Sequence, residues 1–361
     1  MTVVEMQDLR KRYGKTVAAD GMSLRVEDGE YMCILGPTGA GKTTALRMAA
    51  GLLDPDRGKV LFDGTDVTRV EPEYREAAML SQVYSLFPHM DVNGNVMYGP
   101  RIKKWHPRES EDVAHNMLEM VHLHRRKDAM PNELSGGMQQ RTALARALAS
   151  GSKVLLLDEP LRALDARLRI ELRREIRSLV KAMGITAIHV THDQEEAMVI
   201  ADRVAVLRKG RVEQVGTPRE VFDNPLTPFV ANFVGQSNFF IGKVVSSGEE
   251  TVVENERGVT VRARPSPHPI GSEVAVAVKV GNTTLKLDEG FFLGRVERVL
   301  YEGVTIHVDV MAEGQRCSAK LPNRKFEEYS PGDEVTVGWP PSEAIVFALP
   351  PGGLQEELRL D

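Results

Sequence analysis

Tyr31-Met32-Cys33-Ile34-Leu35-Gly36-Pro37-Thr38-Gly39-Ala40-Gly41-Lys42-Thr43-Thr44 decides the fold. Tyr31–Leu35 reads as a buried strand, a glycine-rich turn follows at once, and Thr44–Ala50 has helical spacing. In that order the loop's N–H groups and the positive end of the helix dipole converge on one point, which suits a phosphate. Gly36, Gly39 and Gly41 let the backbone turn inward, with Pro37, Thr38 and Ala40 between them. Lys42 brings a cation to the β- and γ-phosphates of a nucleoside triphosphate, and the Thr43 hydroxyl is a ligand for Mg²⁺.

Working outward, short apolar runs alternate with helical patterns from Val3 to about Asn232, the signature of an α/β domain with a largely parallel sheet. The clearest runs are Val154–Leu157, Thr186–Val190 and Arg203–Leu207. Leu168, Leu172, Ile176 and Leu179 recur at helical spacing, so 165–183 reads as an amphipathic helix that Gly184 ends. The run at 154 ends in Asp158-Glu159-Pro160. A carboxylate pair at the carboxyl end of a strand sits where α/β sheets place ligands, so Asp158 is expected in the Mg²⁺ shell and Glu159 on the attacking water.

Leu134-Ser135-Gly136-Gly137-Met138-Gln139-Gln140-Arg141 opens a further helix that continues through Thr142–Ala149. Alone, this start reads equally as an ordinary N-cap or as a second anion site facing outward. Together with the phosphate loop and the Asp158-Glu159 strand, it resembles the signature sequence of ABC ATPases. The resemblance implies a P-loop α/β nucleotide-binding domain (1–235) with a helical subdomain at about 84–149. It also implies ATP and Mg²⁺ as cofactors, and two chains meeting head to tail so that Ser135, Gly136, Gly137 and Gln139 of one complete the γ-phosphate site of the other.

Further positions match the family one by one. Tyr13 resembles the aromatic that stacks on adenine, and the ATP-binding set runs from Gly36 through Thr44. Gln82 resembles the glutamine that senses the γ-phosphate, joins the metal shell and contacts the membrane partner. His192, after Thr186–Val190, resembles the switch histidine that orients Glu159, and Asp165 the aspartate that joins the two sites across the dimer. Residues 83–90, with Phe87 and Pro88, resemble the segment that receives a coupling helix from the transmembrane subunit. Two departures stand out: Arg162 replaces a small residue, often Ser, and Ser81 replaces a Phe.

At 361 residues the chain is long enough for two domains. Beyond Gly235 the pattern changes to Val-rich alternation in 273–279, 295–300, 305–310 and 334–337, with Gly, Pro and Asn turns. This part, 236–361, holds 19 acidic against 13 basic residues, which makes it the acidic end of a chain of net charge −5. Neither figure suits nucleic acid. It resembles the all-β OB-type (TOBE) domain of import ATPases, although Lys279-Val280-Gly281 stands where many relatives carry Arg-Pro-Glu. No apolar run approaches the roughly 20 residues that span a bilayer, and Cys33 and Cys317 lack metal-ligand spacing.

The expected protein is therefore the ATP-hydrolysing subunit of an importer, cytoplasmic and peripheral on the inner face of the cell membrane. Its expected partners are a second copy, permease subunits and, indirectly, a substrate-binding protein. Similarity in 233–240 and 332–339 inclines the substrate to a polyamine, with ferric ion, sugar, sulfate or phosphonate as alternatives. The alternative class, a soluble ABC ATPase with a non-transport role, carries long coiled coils or two such domains in one chain, and neither is present.

Overall fold

The computed structural model describes residues 2–81, 85–162, 164–286 and 290–359. The chain divides into two units, one ending at Asp223 and one running Asn224–Arg359. The expected boundary at 235/236 thus lies inside the second unit. The reason is the apolar segment Pro228–Gly235, a helix with Phe229 and Val230 fully buried, which packs against strands of the β-domain.

The first unit contains two sheets. Strands β1 (Val4–Tyr13), β2 (Thr16–Val26), β4 (Arg57–Phe62) and β5 (Thr65–Asp66) form an antiparallel sheet in the order β2-β1-β4-β5. The second sheet, in the order β10-β9-β3-β8-β7-β6, contains β3 (Tyr31–Leu35), β6 (Ala77–Leu80), β7 (Val154–Asp158), β8 (Thr186–Thr191), β9 (Arg203–Arg208) and β10 (Arg211–Gly216). Its members are parallel except for the β9–β10 hairpin. Alternation sorts its side chains: Met32, Ile34, Leu156, Ile188, Val190 and Ala205 join a core with helix α1 (Lys42–Ala50) and the antiparallel sheet. Intervening residues such as Cys33 and Leu157 are equally buried on the opposite face, as a doubly covered parallel sheet requires.

Three helices, α2 (Val92–Ile102), α3 (Pro107–Met120) and α4 (Gly136–Ala149), pack on one another as the helical subdomain; the expected start near 84 falls outside the described residues. Helix α5 (Ala166–Met183) buries Leu172, Ile176 and Val180 and ends at Gly184, whose φ of 63° suits glycine. Helices α6 (Gln194–Ile200) and α7 (Pro218–Asp223) complete this unit.

The second unit is all-β apart from short helical segments. Its two antiparallel sheets have five strands each and share a core of Val side chains around Phe240, Phe292 and Trp339. The sheets use the alternating segments expected from the sequence, Glu273–Lys279, Phe292–Tyr301, Thr305–Ala312 and Glu334–Gly338, among others. Among the described residues no helix is long and apolar enough to cross a membrane.

Candidate active site

Strand register places the chemistry. β8 lies between β3 and β7, with Leu35 opposite Thr191 and Asp158 opposite Val190. The three strands therefore release the phosphate loop, Asp158-Glu159 and His192 side by side at the carboxyl edge of one sheet, where an open α/β fold places its ligands.

The loop's shape is enforced by close approach. A Cβ at Gly41 would lie 2.0 Å from the Ala18 carbonyl, and one at Gly36 2.4 Å from that of Leu207. Gly41 also has φ 97°, so no L side chain is tolerated there on either count. Thr38 and Gly39 are exposed at the tip, and Thr43 and Thr44 are half-buried in the first turn of α1. Lys42 is buried, and its ammonium folds back to donate to the carbonyls of Gly36 and Pro37, both at 2.7 Å. Burial lowers its pKa below the usual lysine range, offset in part by Glu159 and Asp158. Among the described residues this cation hydrogen-bonds to loop carbonyls rather than to a carboxylate.

Thr43 Oγ1 donates to Asp158 Oδ1 at 3.0 Å. Asp158 Oδ2 is buried without a hydrogen-bond partner among the described residues, and burial pushes the carboxyl above its ordinary range. A hydroxyl, a carboxylate and one orphaned buried oxygen form an oxygen donor set that fits a hard divalent cation.

Glu159 follows in the left-handed region at φ 50°, a conformation that costs a non-glycine residue of order 1 kcal/mol or more. Its N–H donates to Val190 O at 2.9 Å. Its Oε1 lies 3.0 Å from His192 Nδ1, and its Oε2 accepts from Arg162 Nη1 at 2.9 Å. His192 is set by its neighbours. Thr191 Oγ1 accepts from Asp193 N at 3.0 Å while donating to Glu196 Oε2 at 2.6 Å, and Asp193 Oδ1 caps α6 through Glu196 N at 2.9 Å. Below them Glu196 pairs with buried His189 at 3.3 Å, and His189 Nδ1 meets the Tyr31 hydroxyl at 3.0 Å.

The structure thus brings Lys42, Thr43, Asp158, Glu159 and His192 together. Tyr13 lies at the end of β1 with half its surface exposed. The signature residues make local contacts: Ser135 Oγ caps α4 by accepting from Met138 N at 3.4 Å, and Gln139 donates to Pro131 O at 2.9 Å. Asp165 caps α5 through Leu168 N at 3.0 Å. Gln82, Val83 and Tyr84 lie outside the described residues. Phe87 finds local partners, with Tyr98 4.3 Å away between ring centroids and the Arg146 guanidinium 5.0 Å from its own centroid.

Two supports were not singled out in the sequence. Gln140, fully buried, donates to Pro160 O at 2.8 Å and Glu159 O at 3.4 Å. Arg173, almost fully buried, pairs with Asp193 at 2.7 Å. The available signal was a polar residue at helical spacing with apolar ones: Gln140 with Leu144 and Ala147, and Arg173 with Ile176 and Val180.

The chain matches the model of the ABC transporter family over residues 19–162 and that of the TOBE domain over 278–347. It is 38% identical to the spermidine/putrescine import ATP-binding protein PotA of Lawsonia intracellularis, spanning 93% of this chain and 95% of that protein. It is 37% identical to the protein of the same name from Marinobacter nauticus, across 100% of this chain and 99% of the relative. The chain belongs to the ATP-binding subunits of ABC importers. As such it is an ATPase whose hydrolysis is coupled to transport. Among solved structures, the dimeric ATP-binding cassette MJ0796 in a post-hydrolysis state bound to ADP and Pi is similar. It is 30% identical with a TM-score of 0.55, covering 60% of this chain and 99% of that one. A second dimeric MJ0796 structure, described as a bacterial ABC transporter cassette, gives the same TM-score and identity. For this importer subunit, the family match spans the phosphate loop, the signature helix and the Asp158-Glu159 strand end.

Proposed function

We propose that this subunit works as a homodimer around two ATP molecules, on the inner face of the cell membrane, and drives permease subunits that take up a polyamine delivered by a binding protein. The observation that carries the catalytic part is the convergence of three strand ends: the loop 36–44, Asp158-Glu159 and His192 meet at one edge. Residues Gly36 to Thr44 cradle the phosphates with backbone N–H groups, and Lys42 exchanges its two carbonyl partners for phosphate oxygens. Tyr13 stacks on the adenine.

Thr43 and Asp158, with Gln82, would hold Mg²⁺. The ion supplies charge neutralisation at the β- and γ-phosphates when bound. Glu159 accepts a proton from the attacking water, and His192 keeps its carboxylate turned to that task. Ser135, Gly136, Gly137 and Gln139 act on the partner's nucleotide, which accords with the local contacts that Ser135 and Gln139 make among the described residues. Asp165 links the two sites. The dimeric MJ0796 cassettes support this assembly, and the names of the relatives support the polyamine.

The test measures oligomeric state and turnover of Glu159→Gln beside wild type, with and without ATP. ATP-dependent conversion of the variant to a stable dimer together with lost hydrolysis is the expected result. Wild-type turnover in the variant, or a monomer unmoved by ATP, overturns it. Uptake of labelled spermidine by cells carrying the subunit with its permease, lost in Glu159→Gln, tests the substrate.

A further inference from the structure

We propose that Arg162 is a latch on Glu159: its guanidinium occupies the carboxylate oxygen that the attacking water needs, and so restrains ATP turnover until it lets go. The inference rests on the reading of Glu159 as the water-activating group. The backbone of Glu159 is fixed, with φ 50°, its N–H on Val190 O and its carbonyl beside Gln140. Only the side chain is left to respond. Of its two oxygens, Oε1 faces His192 at 3.0 Å and Oε2 accepts from Arg162 at 2.9 Å.

A charge-assisted hydrogen bond of this length is about twice as strong as a neutral one. A water seeking Oε2 must therefore displace the guanidinium or share the oxygen with it. A small residue at 162, the usual occupant in the resemblance drawn above, would leave Oε2 open.

Exposure fixes both the character and the size of the effect. The Glu159 side chain is only 14% exposed whereas that of Arg162 is 58% exposed, so Arg162 fills no core and solvent competes for it directly. It borders a cleft shared with Arg169, Thr191 and His192, and its own exposure leaves it free to turn into solvent. Exposed ion pairs of this kind are weak and salt-sensitive, which corresponds to a two- to fivefold restraint on turnover, on the order of what such pairs yield.

The experiment compares ATPase kcat and KM of the full chain for wild type, Arg162→Ser, Arg162→Lys, Glu159→Gln and the double variant Glu159→Gln/Arg162→Ser, at low and high salt. The expected result is that Arg162→Ser raises kcat about two- to fivefold with KM for ATP unchanged. It also loses the rise of kcat with salt that wild type shows, and Arg162→Lys falls between the two. In the Glu159→Gln background, Arg162→Ser changes nothing.

If Arg162→Ser leaves kcat unchanged or lowers it while Glu159→Gln is inactive, the latch is overturned and the reading of Glu159 stands. Faster turnover of the double variant than of Glu159→Gln places the action of Arg162 elsewhere and also overturns the proposal. If Glu159→Gln turns over like wild type, both fall. Equal melting temperatures of Arg162→Ser and wild type separate the effect from misfolding.

Discussion

Replacing Asp193 by alanine removes a helix cap and a buried ion pair from the turn that carries His192, along with a looser pairing to Arg169 at 3.6 Å. Its Oδ1 caps α6 by accepting from Glu196 N at 2.9 Å, a contact worth about 1 kcal/mol. Its Oδ2 accepts from Arg173 at 2.7 Å, and the Arg173 side chain is only 6% exposed. Stranding a buried cation costs about 3 to 5 kcal/mol, and the low end applies because the exposed Glu195 carboxylate remains 3.7 Å away. Cap and pair together give about 4 kcal/mol. For a unit of this size that is a fall of about 8–16 °C in melting temperature. Asp193→Asn keeps the cap acceptor and loses the charge, so it is expected to retain about 1 kcal/mol of that difference. Scanning calorimetry of the full chain reads the stability, and steady-state hydrolysis reads the position of His192 under the proposed role, since a misplacement of about 1 Å at a reacting centre costs on the order of a hundredfold. A loss under about 1 kcal/mol would refute the burial argument. A full loss of stability with unchanged kcat would refute the claim that this pair holds His192 in place.

Asp158 has a raised folded pKa because of burial, so its contribution to stability is present below the ordinary carboxylate range and is lost as pH rises through its elevated folded value. Nucleotide-free Asp158→Asn should therefore lose that decline on a plot of melting temperature against pH, and should also lose Mg²⁺-dependent hydrolysis. Gln140→Leu leaves the buried Pro160 carbonyl without its 2.8 Å donor and should cost about 1–3 kcal/mol, with a fall in kcat, read by urea denaturation and ATPase assay. Burial pushes the Cys317 thiol up to about 11 and raises Cys33 well above its usual value, so a thiol reagent at neutral pH should titrate neither in the native protein and both in denaturant.

The sequence reveals groups whose position follows from strand-end logic. A run of apolar residues ending in Gly36, Asp158 or Thr191 has only one edge at which to deliver what comes next, and parallel pairing of β3, β8 and β7 makes those deliveries adjacent. Local pattern therefore places Lys42, Asp158 and Glu159, whereas His192 is picked out only by the family resemblance. Local pattern also suffices for the caps, because Ser135 and Asp165 act on N–H groups three residues away. Contacts between segments are another matter. Arg173 meets Asp193 across 20 residues, and Gln140 meets Pro160 across the same separation. Nothing in either segment alone names the other. The antiparallel sheet of β1, β2, β4 and β5 was hidden for a related reason: β1 and β2 depart from clean alternation at three register shifts, so their period is blurred. Composition changes only after Gly235, whereas packing assigns the helix 228–235 to the second unit.

What the sequence presents as separate motifs is one hydrogen-bonded assembly at Glu159. The residue sits in a left-handed conformation that the chain adopts only under constraint. Three constraints are visible: Val190 O takes its N–H, Gln140 approaches its carbonyl at 3.4 Å, and the same Gln140 amide holds Pro160 O at 2.8 Å. Gln140 belongs to α4, whose first turn carries Ser135 to Gln139 and whose Arg141 is tied to α3 through Val121 O at 2.9 Å. The signature helix and the carboxylate at the end of β7 are therefore joined within one chain by a buried amide, independently of any second copy. The Gln140 amide thus ties the strained backbone at Glu159 to α4.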